Sequence, residues 1–231
     1  MYKPIFIAGP CVIETFDILE EVAKELVRLN NKYGINIIFK SSFDKANRTS
    51  LHSYRGPNLE KGLTMLNDIK MKYGLSLLTD IHEPYQAEIV GGIVDVIQIP
   101  AFLCRQTDLL VAAARTGKII NIKKAQFLSG QDMKYPVEKV RETGNANVWL
   151  TERGNTFGYN NLVVDFRNIP DMCSITPHVI MDCTHSVQRP GADGGKTGGN
   201  REYVPAMAFS CKSILELLVT SLKYIQIRIW L

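Results

Sequence analysis

Short apolar runs alternate along this chain with segments of helical period. The runs cover 4–9, 35–40, 75–80, 94–99, 119–123, 147–152 and 178–184, and strands buried on both faces read as such near-continuous apolar stretches. Helical spacing predicts helices over about 15–33, 58–73, 84–91, 105–116 and 136–143, several opening on a capping residue or a proline such as Thr15 or Pro136. Strand and helix in regular alternation predict a parallel sheet wrapped by helices.

A polar residue follows each run closely: Cys11, Lys40, Asp80, Gln98, Lys123, Arg153 and His185. Chemistry at the same end of so many strands predicts an α/β fold of the (β/α)8 TIM-barrel kind, whose active groups converge on one mouth from the C-terminal strand ends. An open doubly wound sheet, which concentrates them at one switch point, is the alternative. The eighth strand is the weakest part of the pattern, so the last strand–helix unit is expected to be atypical or incomplete. No low-complexity linker interrupts the alternation, and residues 1–231 are expected to form a single barrel domain.

The densest chemistry lies where the second run ends. Ile35-Asn36-Ile37-Ile38-Phe39 leads into Lys40-Ser41-Ser42-Phe43-Asp44-Lys45-Ala46-Asn47-Arg48-Thr49-Ser50, with three cations, four hydroxyls and one amide among the last eleven residues. Such groups neutralise and hydrogen-bond phosphate and carboxylate oxygens. A charge cluster is more often a solvated loop, but period-two alternation puts Ile38, Lys40 and Ser42 on one face, so Lys40 leaves on the same side as an apolar residue. Lys123 shares its face with Ile119 and Asn121, and Arg153 shares its face with Thr151. Together with Lys40 and Lys45 they form a cationic funnel suited to a phosphosugar or phosphoenol, with Gln98 as a neutral donor.

Composition narrows the partners. The balance of 27 basic against 23 acidic residues gives +4, which suits an anionic small molecule and, without a basic stripe, excludes nucleic acid. Five scattered cysteines, with no C-x-x-C pair, encode neither a disulfide framework nor a structural zinc site, so a cytoplasmic location is expected. Met1 to Pro10 lacks the pattern of a signal peptide. The tail from Ser213 to Leu231 is interrupted by Glu216, Lys223 and Arg228, so no membrane span is expected.

Cys11 follows the turn Ala8-Gly9-Pro10, and His185 stands in Asp182-Cys183-Thr184-His185-Ser186. Each alone reads as a structural residue. Paired across the mouth they would suit a borderline-soft divalent ion, but two ligands do not make a site. Residues 191–200 resemble a phosphate loop yet lack the Walker pattern, since Pro190 stands where its first glycine belongs; a mobile lid or a plain flexible loop are the readings that remain.

Several of these stretches together carry a resemblance. Ala8-Gly9-Pro10-Cys11, Phe39 to Ser50, Thr79-Asp80-Ile81-His82-Glu83, Gln98 to Thr107, Asn121-Ile122-Lys123-Lys124, Thr151-Glu152-Arg153-Gly154 and Asp182 to Gln188 resemble the 3-deoxy-D-manno-octulosonate 8-phosphate synthases. The related heptulosonate 7-phosphate synthases share the Gly-Pro-Cys turn but carry a Lys-Pro-Arg element, where this chain has Lys45-Ala46-Asn47-Arg48. The resemblance implies condensation of phosphoenolpyruvate with arabinose 5-phosphate, release of inorganic phosphate, and a product used for lipopolysaccharide. By its pattern Lys123 and Arg153 would hold the phosphoenolpyruvate phosphate beside Gln98, and Lys40, Ser42 and Lys45 would address the carboxylate and reacting end. Asn47 would meet the sugar hydroxyls, and Arg48 and Thr49 the sugar phosphate. Asp80 and Phe102 join the substrate-binding set, and Arg105 would reach in from a neighbouring subunit of a tetramer. The enol carbon attacks the aldehyde, water adds to the resulting cationic centre, and the bisphosphate hemiketal collapses.

Members with cysteine at the position of Cys11 are metal-dependent, so a divalent ion is expected on Cys11, His185 and a glutamate and an aspartate from the last two strand ends. The resemblance runs over about residues 4–209. The family's glutamate and aspartate motifs do not occur in 210–231, which is expected to be a divergent tail of the kind a frameshift produces, with an incomplete metal site. Helical spacing over 212–223 and alternation over 224–231 leave that tail able to close the barrel. A non-catalytic phosphosugar-binding remnant is the competing reading.

Overall fold

The computed structural model describes residues 5–193, 196–217 and 224–226. Strands β1 (Ile5–Ala8), β2 (Asn36–Lys40), β3 (Ser76–Asp80), β4 (Val96–Ile99), β5 (Ile119–Lys123) and β6 (Val148–Glu152) lie side by side in chain order. After the short ribbon of β7 (Asn155–Thr156) and β8 (Leu162–Val163), β9 (Val179–Asp182) pairs with β6. A second antiparallel ribbon, β10 (Gln188–Asp193) with β11 (Lys196–Gly199), follows. The last strand, β12 (Tyr224–Gln226), pairs in parallel with β9 on one side and β1 on the other, and so closes an eight-stranded parallel barrel.

Helices α1 (Phe16–Tyr33), α2 (Leu59–Tyr73), α3 (Gln86–Gly91), α4 (Thr107–Arg115), α5 (Lys134–Glu142), α6 (Asn168–Ile175) and α7 (Val204–Leu217) complete the alternation. The first begins where the Thr15 hydroxyl accepts the Ile18 N–H and ends on Gly34 in the left-handed region; its buried Leu19, Val22, Ala23 and Leu26 follow helical spacing. Two helices escape sequence patterning. The eight-residue α6 carries Pro170 in its first turn, where proline is tolerated but reads as a breaker. The other, α7, starts at Val204, eight residues before the helical spacing predicted over 212–223; residues 218–223 and 227–231 lie outside the described residues. Pro136 is the third residue of α5 rather than its opening. The predicted lid or loop at 191–200 falls largely on the second ribbon, which pairs Gln188↔Gly199, Arg189↔Gly198 and Asp193↔Lys196 with a register shift between Arg189 and Asp193.

Alternation along the strands builds two layers of core. Ile7, Ile38, Leu78, Val96, Trp149 and Ile180 fill the barrel interior. Their neighbours, among them Ile37, Phe39, Leu77, Ile97, Ile120, Ile122, Leu150 and Met181, pack outward against the helices. Full burial of each such side chain contributes about 1.5–3 kcal/mol. Two residues beyond an inward apolar residue is another inward position. Lys40, Asp80, Gln98 and Asp182 stand there on β2, β3, β4 and β9. The same parity carries Asn121, Lys123, Thr151 and Arg153 inward.

Beyond their strands, the first two chain segments stay together: Ile13 N–H donates to the Ser42 carbonyl at 2.9 Å and Ser42 N–H to the Cys11 carbonyl at 3.4 Å. Gly9 makes that approach possible, because a Cβ there would lie 2.1 Å from the Lys40 carbonyl oxygen on a backbone at φ +153. Gly9→Ala should therefore force β1 and β2 apart at the mouth and lower unfolding stability by about 1–3 kcal/mol. A denaturant midpoint equal to that of the unsubstituted chain would contradict this packing.

Candidate active site

At the C-terminal mouth, Ser42 is the hub of one cluster. Its Oγ accepts from Lys40 Nζ at 2.9 Å and Lys45 Nζ at 2.8 Å and donates to Asp80 Oδ1. Lys40 Nζ also lies 3.8 Å from Asp80 Oδ1, and His82 Nε2 3.5 Å from Asp80 Oδ2. Lys40 and Asp80 are only 6% and 7% exposed. Burial, reinforced by the Lys45 charge, lowers the Lys40 ammonium to about 8. Burial would raise the Asp80 carboxyl, but Lys40, Lys45 and His82 outweigh it and hold the group well below the usual carboxylate range.

A second cluster stands on β5, β6 and β9. Lys123 Nζ bonds Asp182 Oδ2 at 2.6 Å, and His185 Nδ1 lies 2.8 Å from the same oxygen. The other oxygen, Asp182 Oδ1, accepts from the Thr184 hydroxyl at 3.0 Å and the His185 N–H at 3.0 Å. Burial works to raise Asp182, but His185 and Lys123 hold it far down. Burial lowers Lys123, against the pull of Asp182 and with the push of Arg153 and Lys45. Arg153 Nη2 donates to Gln188 Oε1 at 3.2 Å, while its buried Nη1 has no hydrogen-bond partner among the described residues. Between the clusters, Gln98 Nε2 donates to Asn121 Oδ1 at 2.6 Å and Asn121 Nδ2 to Thr151 Oγ1 at 2.7 Å. The Gln98 amide keeps a second hydrogen for another acceptor.

Four cations, Lys40, Lys45, Lys123 and Arg153, thus face two buried carboxylates, and an excess of positive charge remains in the mouth. Such a mouth suits an anion with two acidic ends. Two members of it were not singled out from sequence. Asp182 lies two positions beyond Ile180 on the inward face, so the alternation that located Lys123 also marks it. His82 stands just past Asp80, beyond the end of β3, where strand parity gives no direction.

The remaining predicted residues lie outside this buried cluster. Asn47, Arg48 and Thr49 are exposed on the loop after Lys45. That loop is anchored by Arg55 Nε to Asp44 Oδ1 at 2.8 Å, Lys45 N–H to the Arg55 carbonyl at 2.7 Å and Arg48 Nε to the Tyr54 carbonyl at 3.2 Å. Phe102 and Arg105 are exposed on the turn after β4. Cys11 and His185 do meet, since the thiol hydrogen-bonds the imidazole. Among the described residues, however, no group of three or more His, Cys, Asp or Glu side chains could hold a metal ion. Asp182, the nearest further donor, is already shared by Lys123 and His185. Catalytic cation sites of this kind take three protein ligands, so the described residues do not fit a divalent ion. None of the five cysteines is in a disulfide, and no helix among the described residues is long and apolar enough to cross a membrane.

Comparison with known proteins places this geometry in context. The model of the DAHP synthetase I family matches residues 2–214. A 2-dehydro-3-deoxyphosphooctonate aldolase of Cyanothece sp. is 56% identical over 202 residues, covering 87% of this chain and 74% of the relative. The protein of the same name from Helicobacter hepaticus is 52% identical over 221 residues, covering 91% and 82%. That of Brucella ovis is 56% identical over 202 residues, covering 87% and 73%.

Lys40 carries its charge below about pH 8 and loses it as pH rises through that value. Anion binding linked to this proton should weaken in the same window. Sulfate, whose own charge is constant there, should bind more tightly at about pH 7 than at about pH 9.5 in a calorimetric titration, and Lys40→Met should flatten the step. A pH-independent affinity in the unsubstituted chain would contradict the assignment.

Proposed function

The chain belongs to the DAHP synthetase I family, and from that premise we propose that it condenses phosphoenolpyruvate with arabinose 5-phosphate and water, giving 3-deoxy-D-manno-octulosonate 8-phosphate and inorganic phosphate. The relatives above, at just over half identity across most of both chains, carry the name of that activity. The observation that supports it most directly is the buried Arg153 Nη1, a guanidinium donor without an acceptor among the described residues, beside the Lys123 ammonium. A phosphate between them supplies the missing acceptor.

In this reading Lys123 and Arg153 hold the phosphoenolpyruvate phosphate, with the spare Gln98 hydrogen alongside. Lys40, Lys45 and Ser42 receive its carboxylate, and Asp80 keeps the Ser42 hydroxyl aimed. Held at both ends in the mouth, the enol carbon faces the open side, where Asn47, Arg48 and Thr49 receive the sugar and its phosphate. That open side is also where Phe102, and Arg105 of a neighbouring copy in a homo-tetramer, would add to the sugar site. The acidic ends are fixed before the carbon–carbon bond forms, so the entropy of alignment is spent in binding rather than in the reacting state. When phosphate leaves, the cations that bound it neutralise its departing charge. Cys11 and His185 are the donors this chain offers toward the divalent ion used by metal-dependent members. The product feeds lipopolysaccharide synthesis, and the site of action is the cytoplasm.

Replacing either Lys123 or Arg153 with methionine should weaken phosphoenolpyruvate binding by about 2–5 kcal/mol, because one partner of a buried anion site is removed. Unchanged affinity in either variant removes the clamp assignment. Phosphate release with phosphoenolpyruvate should be faster with arabinose 5-phosphate than with erythrose 4-phosphate. The reverse order would move the chain to the heptulosonate branch, and tight phosphoenolpyruvate binding without release under either sugar would make it a binding protein.

A further inference from the structure

The alternation that turns Lys123 and Arg153 into the mouth turns their chain neighbours, Lys124 and Glu152, out through the barrel wall. Both neighbours are ionic and both are fully buried, at 0% exposure. Glu152 is in register with Met181 on β9, and the outward residues at the mouth ends of β3 and β4 are Ile81 and Ile99, all three buried and apolar, with a small Ser41 after β2. An apolar side chain therefore suits this layer, and replacing a buried ion pair by apolar residues of similar volume is often neutral or stabilising. Stability alone does not account for ions at these two places.

Their bonds do. Lys124 Nζ lies 3.5 Å from Glu152 Oε1 and donates to the Leu128 carbonyl at 3.1 Å and to Asn155 Oδ1 at 3.0 Å, with the Ala125 and Gly154 carbonyls at 3.3 and 3.5 Å. Glu152 Oε1 accepts the backbone N–H of Arg153 at 2.9 Å and of Gly154 at 2.6 Å. Asn155 also accepts from Asn168, whose Oδ1 takes the Gly130 N–H at 2.8 Å. One buried node thus grips the backbone just past Lys123 and just at Arg153, using acceptors and donors that no apolar residue has. Burial pushes the Glu152 carboxyl up and the Lys124 ammonium down, and each opposes that push on the other.

We infer that Lys124 and Glu152 are positioning residues, a buried pair that fixes the course of the chain where β5 and β6 leave the barrel and thereby sets the spacing and aim of Lys123 and Arg153. The inference rests on the reading of those two cations as a phosphate clamp. Neither Lys124 nor Glu152 faces the mouth; Glu152 and Lys124 also act on Arg153 through their charges, but these are opposite in sign, so the chief effect on ligand passes through backbone geometry.

The test is the double variant Lys124→Met/Glu152→Gln, which removes both charges together and leaves no lone buried ion. Two quantities are read: hydrogen exchange of the Arg153 and Gly154 amides in the ligand-free chain, and phosphoenolpyruvate affinity by calorimetry. Exchange should quicken, because bonds to a neutral acceptor are weaker than those to a carboxylate. Affinity should fall about tenfold or more, the scale on which orienting partners affect the groups they hold, with the thermal midpoint little changed. Unchanged affinity, or weakened affinity with unchanged exchange, overturns the inference. If the double variant does not fold, Glu152→Gln alone reads the same two quantities with the same outcomes. Failure of the unsubstituted chain to bind phosphoenolpyruvate would instead refute the proposed function, and the exchange measurement would still decide whether the pair holds the backbone.

Discussion

Four cations share the mouth of this barrel with two carboxylates, and the bonds from Asp80 and Asp182 are what allow them to stay there. Each buried ion loses several kcal/mol of hydration that only close, well-aimed partners return. Asp80 serves Lys40 through Ser42 and directly, while Asp182 serves Lys123 and the imidazole of His185. The carboxylates compensate the cations only in part. The unmatched charge, with a guanidinium nitrogen on Arg153 that has no partner among the described residues, is a standing demand for an anion.

The closed ring of parallel strands turns that demand into geometry. Because every strand runs the same way, residues at like depth come to like height, and Gln98, Asn121 and Thr151 hydrogen-bond straight across three adjacent strands. The Ile7, Ile38, Leu78, Val96, Trp149 and Ile180 layer below plugs the barrel with packed side chains. Charges above such an apolar floor interact more strongly than they would in solvent.

Much of this was legible in the chain. Period-two alternation put Lys40 on the face of Ile38, Lys123 on that of Ile119 and Asn121, and Arg153 on that of Thr151, and the structure turns all three inward. The same rule reaches Asp182 from Ile180, yet a lone aspartate beside a histidine reads first as part of a loop. The helix at 168–175 was hidden by Pro170, and the ribbon of 188–193 and 196–199 by glycines that pattern as coil, of which Gly198 and Gly199 pair in the fold. Asn47, Arg48, Thr49, Phe102 and Arg105 lie on exposed segments beyond strand ends, where neither period nor burial dictates direction; the density of polar groups marked Asn47, Arg48 and Thr49, but only resemblance gave them roles, and only resemblance spoke for Phe102 and Arg105. The Lys124–Glu152 pair illustrates a further limit: outward strand positions are expected to be apolar, and only side-chain coordinates reveal that an ionic node stands there.

The central claim is that the mouth is a seat for phosphoenolpyruvate with its two acidic ends held apart by two cationic clusters. A crystal structure of the chain grown with phosphoenolpyruvate tests this most directly. The account predicts the phosphate within hydrogen-bond distance of Lys123 Nζ and Arg153 Nη1, with the carboxylate on Lys40, Lys45 and Ser42. Phosphoenolpyruvate bound elsewhere, or a mouth without it at saturating concentration, would contradict the account.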